Sequence, residues 1–294
     1  MKTSVVSVSE TRLFLYEWGE RNARLAIYWD GLGGTGLHAN EIGPILAREH
    51  GIRVIAPDAP GHGRSPVLAP EAYRPSTLAS LTAELLSALG IAEAAFVGFS
   101  WGAEVACAFA ARYPTRTNAL VLVDGGYWDF ADLPDFDTSA DLSVRIARAR
   151  ERAGKDWYPT WDAYFAAERA ALRRWTPAVE DAHRATMREH DGRILPIVSP
   201  DVLGGINYGN CVEPTASTHD ALREAGMPIL LVTPRIHGRN AGIASAGIRR
   251  FQEQVPLLEV RELPTDVHDL VSHAGPEIAA IVGNWLGRHD RDDV

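Results

Sequence analysis

Along the chain, short unbroken apolar runs alternate with longer stretches in which apolar residues recur at helical spacing. Leu25 to Trp29, Arg53 to Pro57, Ala94 to Val97, Ala119 to Val123 and Pro228 to Thr233 are runs of the first kind, the pattern of strands covered on both faces, and Leu257 to Leu263 predicts one further strand. Thr77 to Leu89 is the clearest of the second kind, with Leu78, Leu81, Leu85, Leu86 and Leu89 on one side. A helix ending near His50, one over Ala103 to Arg112, one over Gly247 to Gln254 and one over Pro276 to Trp285 complete the set. Ser4 to Ser9 and Thr11 to Trp18 alternate polar and apolar residues and predict an edge hairpin. Strand and helix in alternation imply a mostly parallel sheet with helices on both faces, and ligands gather at the carboxyl ends of such strands.

The alternation stops after Asp124-Gly125-Gly126. From there to about Val212 the sequence is charged, aromatic and helical. Leu142 to Arg152 and Trp157 to Arg174 predict helices, and the Pro- and Gly-rich Leu195 to Pro214 predicts loop. The expected organisation is a core domain of residues 1–132 and 213–294 with a helical cap inserted at 133–212. The Asp/Arg tail after Gly287 is expected to fray.

The stretch around which this pattern is built is Gly98-Phe99-Ser100-Trp101-Gly102, between the Ala94 to Val97 run and the helical stretch from Ala103. A strand, a sharp turn with a serine at its apex and glycines two residues to either side, and then a helix describe a nucleophile elbow. The plainer alternative is a strand-to-helix turn whose serine only caps the helix. A helix that begins there also presents unpaired backbone N–H groups to any anion formed beside it.

These residues, the Asp58-Ala59-Pro60-Gly61-His62-Gly63-Arg64-Ser65 turn, the strand order and the late His268 together resemble the α/β-hydrolase family over nearly the whole chain. The resemblance implies an eight-stranded, mostly parallel sheet and a serine, acid and histidine in that chain order. It gives the Asp58 to Ser65 turn a structural role, so His62 takes no part in catalysis. Ser100 is then the nucleophile and His268, after the last strand, its base, with His273 and His237 as competitors. The backbone N–H groups of Leu32 and Trp101 are the expected oxyanion hole, with Gly31 beside them. The family's usual acid position, here Val232 to Arg239, holds no carboxylate. Asp124, at the end of the strand after the elbow helix, is the expected acid, as in zearalenone hydrolases and certain dehalogenases; Asp266 and Asp269 are the alternatives.

The turn Asp30-Gly31-Leu32-Gly33 departs from the family's common His-Gly and resembles that of the zearalenone hydrolases, which open lactones. Asp30 should turn away from the oxyanion and bond its own loop. Gly31, Trp128, Trp157, Trp161 and Tyr164 are the expected substrate contacts, although such aromatics also serve simply to hold a cap together. Glu104, one helical turn past Ser100, reads as one half of a structural ion pair. The expected activity is serine-dependent hydrolysis of an apolar or aromatic carboxylic ester or lactone through an acyl-enzyme. A carbon–carbon bond hydrolase on the same triad and a non-catalytic ligand-binding relative are the alternatives. Epoxide hydrolase and haloalkane dehalogenase chemistry is disfavoured, because those relatives carry Asp where this chain has Ser100.

Composition narrows the partners. The net charge of −9 provides no general attraction to phosphate backbones or anionic membrane. Cys107 and Cys211 stand far apart without C-x-x-C spacing. Neither metal nor cofactor is expected. Met1 to Trp18 has no basic region followed by an unbroken apolar one, and no apolar stretch reaches membrane-spanning length. The expectation is a soluble cytoplasmic protein acting on a small molecule, with no nucleic-acid or membrane partner and an oligomeric state that the sequence leaves open.

Overall fold

The computed structural model describes residues 1–172, 174–236, 238 and 241–289; the last residues of the tail, 290–294, and His237 lie outside the described residues. The strands are β1 (Lys2–Val8), β2 (Thr11–Trp18), β3 (Arg24–Trp29), β4 (Ile52–Pro57), β5 (Ala94–Phe99), β6 (Thr117–Val123), β7 (Met187–His190), β8 (Arg193–Pro196), β9 (Ile229–Pro234) and β10 (Leu258–Leu263). Eight of them form one sheet in the order β1-β2-β4-β3-β5-β6-β9-β10, while β7 and β8 pair separately. The first two ladders, β1 with β2 and β2 with β4, are antiparallel and the other five are parallel.

The helices are α1 (Gly43–His50), α2 (Pro75–Ala88), α3 (Trp101–Arg112), α4 (Leu142–Ala153), α5 (Trp161–Ala171), α6 (Pro177–Ala185), α7 (Pro200–Val212), α8 (His219–Ala225), α9 (Ala241–Gln254) and α10 (Leu270–Arg288). Successive side chains of each inner strand point to opposite faces, so two apolar layers form. Ile27, Trp29, Phe96, Leu120, Leu122, Ile229 and Leu231 meet residues of α2, α3, α8 and α9. Ala26, Tyr28, Val97, Val121, Val123, Leu230 and Val232 meet α1 and α10. Burial on both faces is why these strands read as unbroken apolar runs. Among the described residues no helix is long and apolar enough to cross a membrane.

Between β6 and β9 the chain leaves the sheet, and here two sequence expectations need correction. The helix expected over Trp157 to Arg174 runs only over Trp161–Ala171, because Thr160 caps it by accepting from the Ala163 N–H and Tyr158 instead forms a bridge with Ile194. Leu195 to Pro214 is not a loop but the end of β8 followed by the thirteen-residue α7. Its glycines, poor helix formers in isolation, let α7 press directly on other backbone. A Cβ at Gly205 would stand 2.4 Å from the Pro70 carbonyl oxygen, and one at Gly209 2.3 Å from that of Tyr73. The start of α7 was nonetheless written in the sequence, as Ser199, whose side chain accepts from the Val202 N–H, followed by Pro200 in the first helical turn.

Candidate active site

β5 ends at Phe99 and α3 begins at Trp101, which leaves Ser100 alone in the turn at φ 50°, ψ −121°. A side chain held at positive φ is strained by roughly 1–3 kcal/mol, and persists only where its surroundings over-determine it. The glycines provide that confinement. A Cβ at Gly98 would lie 2.4 Å from the Gly102 carbonyl oxygen, and one at Gly102 would lie 2.2 Å from that of Trp29. Gly102→Ala is therefore expected to destabilise the protein by roughly 3 kcal/mol, a drop of about 5–10 °C in Tm. An unchanged thermal unfolding curve would show that the elbow does not depend on this approach.

Three side chains from three strand ends converge at the turn. His268 Nε2 lies 2.9 Å from Ser100 Oγ, and His268 Nδ1 lies 2.6 Å from Asp124 Oδ2. The other Asp124 oxygen accepts from the Tyr127 hydroxyl at 2.7 Å. Both strand ends are pinned to their neighbours: the Ser100 N–H donates to Val123 O at 2.9 Å and the Asp124 N–H to Val232 O at 2.8 Å. Asp124 shares the positive φ of Ser100, at 45°. Its side chain is 7% exposed and that of His268 61%, so the acid is sealed while the imidazole is open to the cavity. Burial draws the His268 imidazole down, but the hydrogen bond to Asp124, the charge of Asp124 and that of Asp269 more than offset this, and its pKa is raised above the ordinary 6.5.

Several of the competing groups are engaged elsewhere. His62 is buried, stacks on Trp101 and faces the Pro60 carbonyl through Nδ1 at 3.0 Å; burial lowers its pKa. His273 Nε2 lies 3.0 Å from Thr265 Oγ1 inside the fold. Asp269 accepts from the Ser272 N–H and caps α10, and Asp266 is at the cavity wall. Asp58 accepts from the N–H groups of Gly36 and Arg64, which closes the turn it begins.

Leu32, Ser100 and Trp101 line one cavity of about 440 Å³. The chain before Leu32 passes close to Ser100, since a Cβ at Gly31 would be 3.1 Å from Ser100 Cβ. Trp101 opens α3, so its N–H is one of the helix's unpaired donors. Asp30 is turned away as expected, but its partners are side chains and not its own loop's backbone: the Tyr28 hydroxyl donates to Oδ1 at 2.8 Å and His38 Nδ1 stands 2.6 Å from Oδ2. For His38, burial opposes the charged form, yet the Asp30 carboxylate outweighs it and the pKa is pushed up to about 9. The network continues into α5 and α6, where His183 lies 3.1 Å from Glu168 and 3.5 Å from Asp269. One atom from each of His38, His183 and Asp269 falls within 4.8 Å of the others, a spacing that would admit a metal ion.

The rest of the cavity wall departs from the sequence expectation. Trp128 lines it, together with Phe130 and Leu133 just beyond, Ile206 and Asn210 of α7, and Glu104 of α3. Trp157, Trp161 and Tyr164 do not. Tyr164 is buried against Phe165 and Ile194, with Trp161 packed beside them, and Arg184 lies over the Trp161 ring at 4.7 Å. Trp157 is 39% exposed under Arg193, 4.4 Å from its ring centre. Tyr164 and Trp161 pack within the segment between β6 and β9, because α5 turns its aromatic face to β8 and α6. Glu104 forms no ion pair among the described residues; burial, and after it the charge of Asp129, pushes its carboxyl up to about 8. The α7 contribution went unseen because that segment was read as loop.

A family model described as alpha/beta hydrolase fold matches residues 28–181, just over half of the chain. Over 121 residues the chain is 35% identical to a 2-hydroxy-6-oxo-6-phenylhexa-2,4-dienoate hydrolase of Burkholderia cepacia, covering 40% of this chain and 42% of that one. Over 159 residues it is 30% identical to Lipase 1 of Psychrobacter immobilis, covering 53% and 49%. The chain thus spans less than half the length of these curated relatives. Among solved structures, the thioesterase domain from the curacin biosynthetic pathway superposes with a TM-score of 0.75 at 18% identity, over 96% of this chain and 98% of that one.

Proposed function

The chain belongs to the α/β-hydrolase fold family, and we propose that within it this protein hydrolyses a carboxylic ester or lactone of apolar or aromatic character, with Ser100 as nucleophile. The observation that carries the reading is the unbroken relay from Ser100 Oγ through the His268 ring to the buried Asp124 carboxylate, at 2.9 and 2.6 Å. Asp124 accepts the Nδ1 proton and so leaves Nε2 unprotonated towards the serine. Ser100 Oγ gives its proton to Nε2 as it bonds to the carbonyl carbon, and the oxyanion is held by the N–H groups of Leu32 and Trp101. His268 returns the proton to the leaving alkoxide, which departs as the alcohol. Water, deprotonated by the same imidazole, then releases the acid from Ser100.

A cavity of about 440 Å³ lined by Trp128, Phe130, Leu133 and Ile206 favours a substrate of drug-like size with a substantial apolar part. The second reading, hydrolysis of a carbon–carbon bond, is favoured by the likeness to the dienoate hydrolase of Burkholderia cepacia. Fluorophosphonate labelling followed by peptide mapping tests the nucleophile: the adduct is expected on Ser100, and an unlabelled protein would overturn the reading. Matched assays on phenyl esters and on a 2-hydroxy-6-oxo-dienoate separate the two chemistries, since only the first releases an alcohol.

A further inference from the structure

Two side chains in the wall of the active-site cavity each carry a buried oxygen with no hydrogen-bond partner among the described residues. Glu104 stands three residues after Trp101 on α3, so both project from one side of the helix, and both line the cavity. Asn210 of α7 also lines it and is 8% exposed. Glu104 Oε2 and Asn210 Oδ1 are fully buried without a hydrogen-bond partner among the described residues. An unpaired buried polar atom is costly, so what fills the cavity has to supply the missing bonds. Burial, and after it the like charge of Asp129, disfavour the charged form of Glu104, so at neutral pH the group is a carboxyl, with one O–H donor and an acceptor. Asn210 adds an acceptor and amide donors.

We propose that Glu104 and Asn210 form a hydroxyl-binding subsite, set about 6 Å of helix rise beyond Ser100, which selects substrates carrying an uncharged hydroxyl group at that distance from the scissile carbonyl. This rests on the ester or lactone reading and deepens it. A hydroxyl donates to Asn210 Oδ1 and accepts from the Glu104 carboxyl, leaving neither orphaned. A carboxylate in its place would meet the like charge of Asp129, which Glu104 already feels.

The test uses two matched pairs: methyl 3-hydroxyphenylacetate against methyl phenylacetate, and 3-hydroxybenzyl acetate against benzyl acetate. In at least one pair kcat/KM is expected to favour the hydroxylated ester by roughly tenfold or more. Glu104→Leu and Asn210→Leu should each bring that ratio close to one, while Glu104→Gln, which keeps a donor and an acceptor, retains most of it. Glu104→Leu should also raise Tm, since it removes a buried unpaired carboxyl; a structural role would lower it. Ratios near one for both pairs in the wild type, or ratios that survive both leucine changes, overturn the proposal. Calorimetric binding of the uncleaved 3-hydroxyphenylacetamide against phenylacetamide keeps the two readings apart. A hydroxyl preference in binding that the leucine variants lose supports the subsite even if no ester is turned over, and turnover of the esters without any such preference overturns the subsite alone.

Discussion

Ser100→Ala is expected to lower ester hydrolysis by roughly 10⁴-fold or more while Tm stays within a degree or two of the wild type. The hydroxyl makes one hydrogen bond, to His268 Nε2, and the turn is set by the close approaches at Gly98 and Gly102 and not by the serine side chain. Alanine inherits the φ of 50° with its Cβ, so the strain of the elbow is unchanged. Kinetics on a phenyl ester, with unfolding and ligand binding followed in the same preparation, decide the matter. A variant that retains a tenth of the activity would remove Ser100 as nucleophile, whereas a variant that has lost its fold would show that the hydroxyl has a part in the turn.

Asp124→Asn is expected to cost 10²- to 10⁴-fold in kcat, by order of magnitude, with little change in structure. The amide keeps an oxygen for the Tyr127 hydroxyl, which now bonds Oδ1 at 2.7 Å, but it no longer offers a charged acceptor to His268 Nδ1. The ring is then free to carry its proton on Nε2, facing the serine it should deprotonate. The pH profile gives an independent sign. His268 must be neutral to act as base, and its pKa is raised above 6.5 with Asp124 as the main source of the rise, so the acid limb of the wild-type kcat/KM profile should lie above pH 6.5. Removal of the Asp124 charge moves that limb down while the plateau falls. A variant with the wild-type plateau and limb would transfer the role to another carboxylate, for which Asp269 and Asp266 are the nearest candidates.

The elbow was legible because everything that makes it is local: two glycines where an added Cβ would meet a backbone carbonyl within 2.4 Å, a serine between them, and a buried strand and a helix on either side. The position of Asp124 was legible for a different reason, since a parallel sheet places successive strand ends along one edge and the usual acid position was bare. The cavity wall was not, because it is assembled from contacts between segments far apart in the chain. The aromatic residues of α5 gave a strong helical signal, but periodicity reports only that one face is buried, not against what; here the cover is β8 and α6. α7 was missed for the converse reason, in that its glycines weaken the local signal while making the contacts with Pro70 and Tyr73 possible. Glu104 was placed correctly on its helix, but its lack of an ionic partner is a three-dimensional fact.

The chain of charges from Asp30 through His38, Asp269 and His183 to Glu168 limits how this protein can be recombined with its relatives. Swapping the segment between β6 and β9 is the natural way to build a chimera with a new specificity. Here such an exchange would carry off His183 and Glu168 while leaving Asp269 in the recipient, one residue from His268, and would also cut the contacts of Arg174 and Thr176 with Glu41. Asp269 is held charged against its own burial by His183 first and by His38 after it, so in the chimera that carboxylate would lose its largest support and the loop bearing His268 would loosen with it. The breakpoints of a functional chimera are therefore not those of the strand order: residues 30, 38, 41 and 269 have to travel with the transplanted segment as one set.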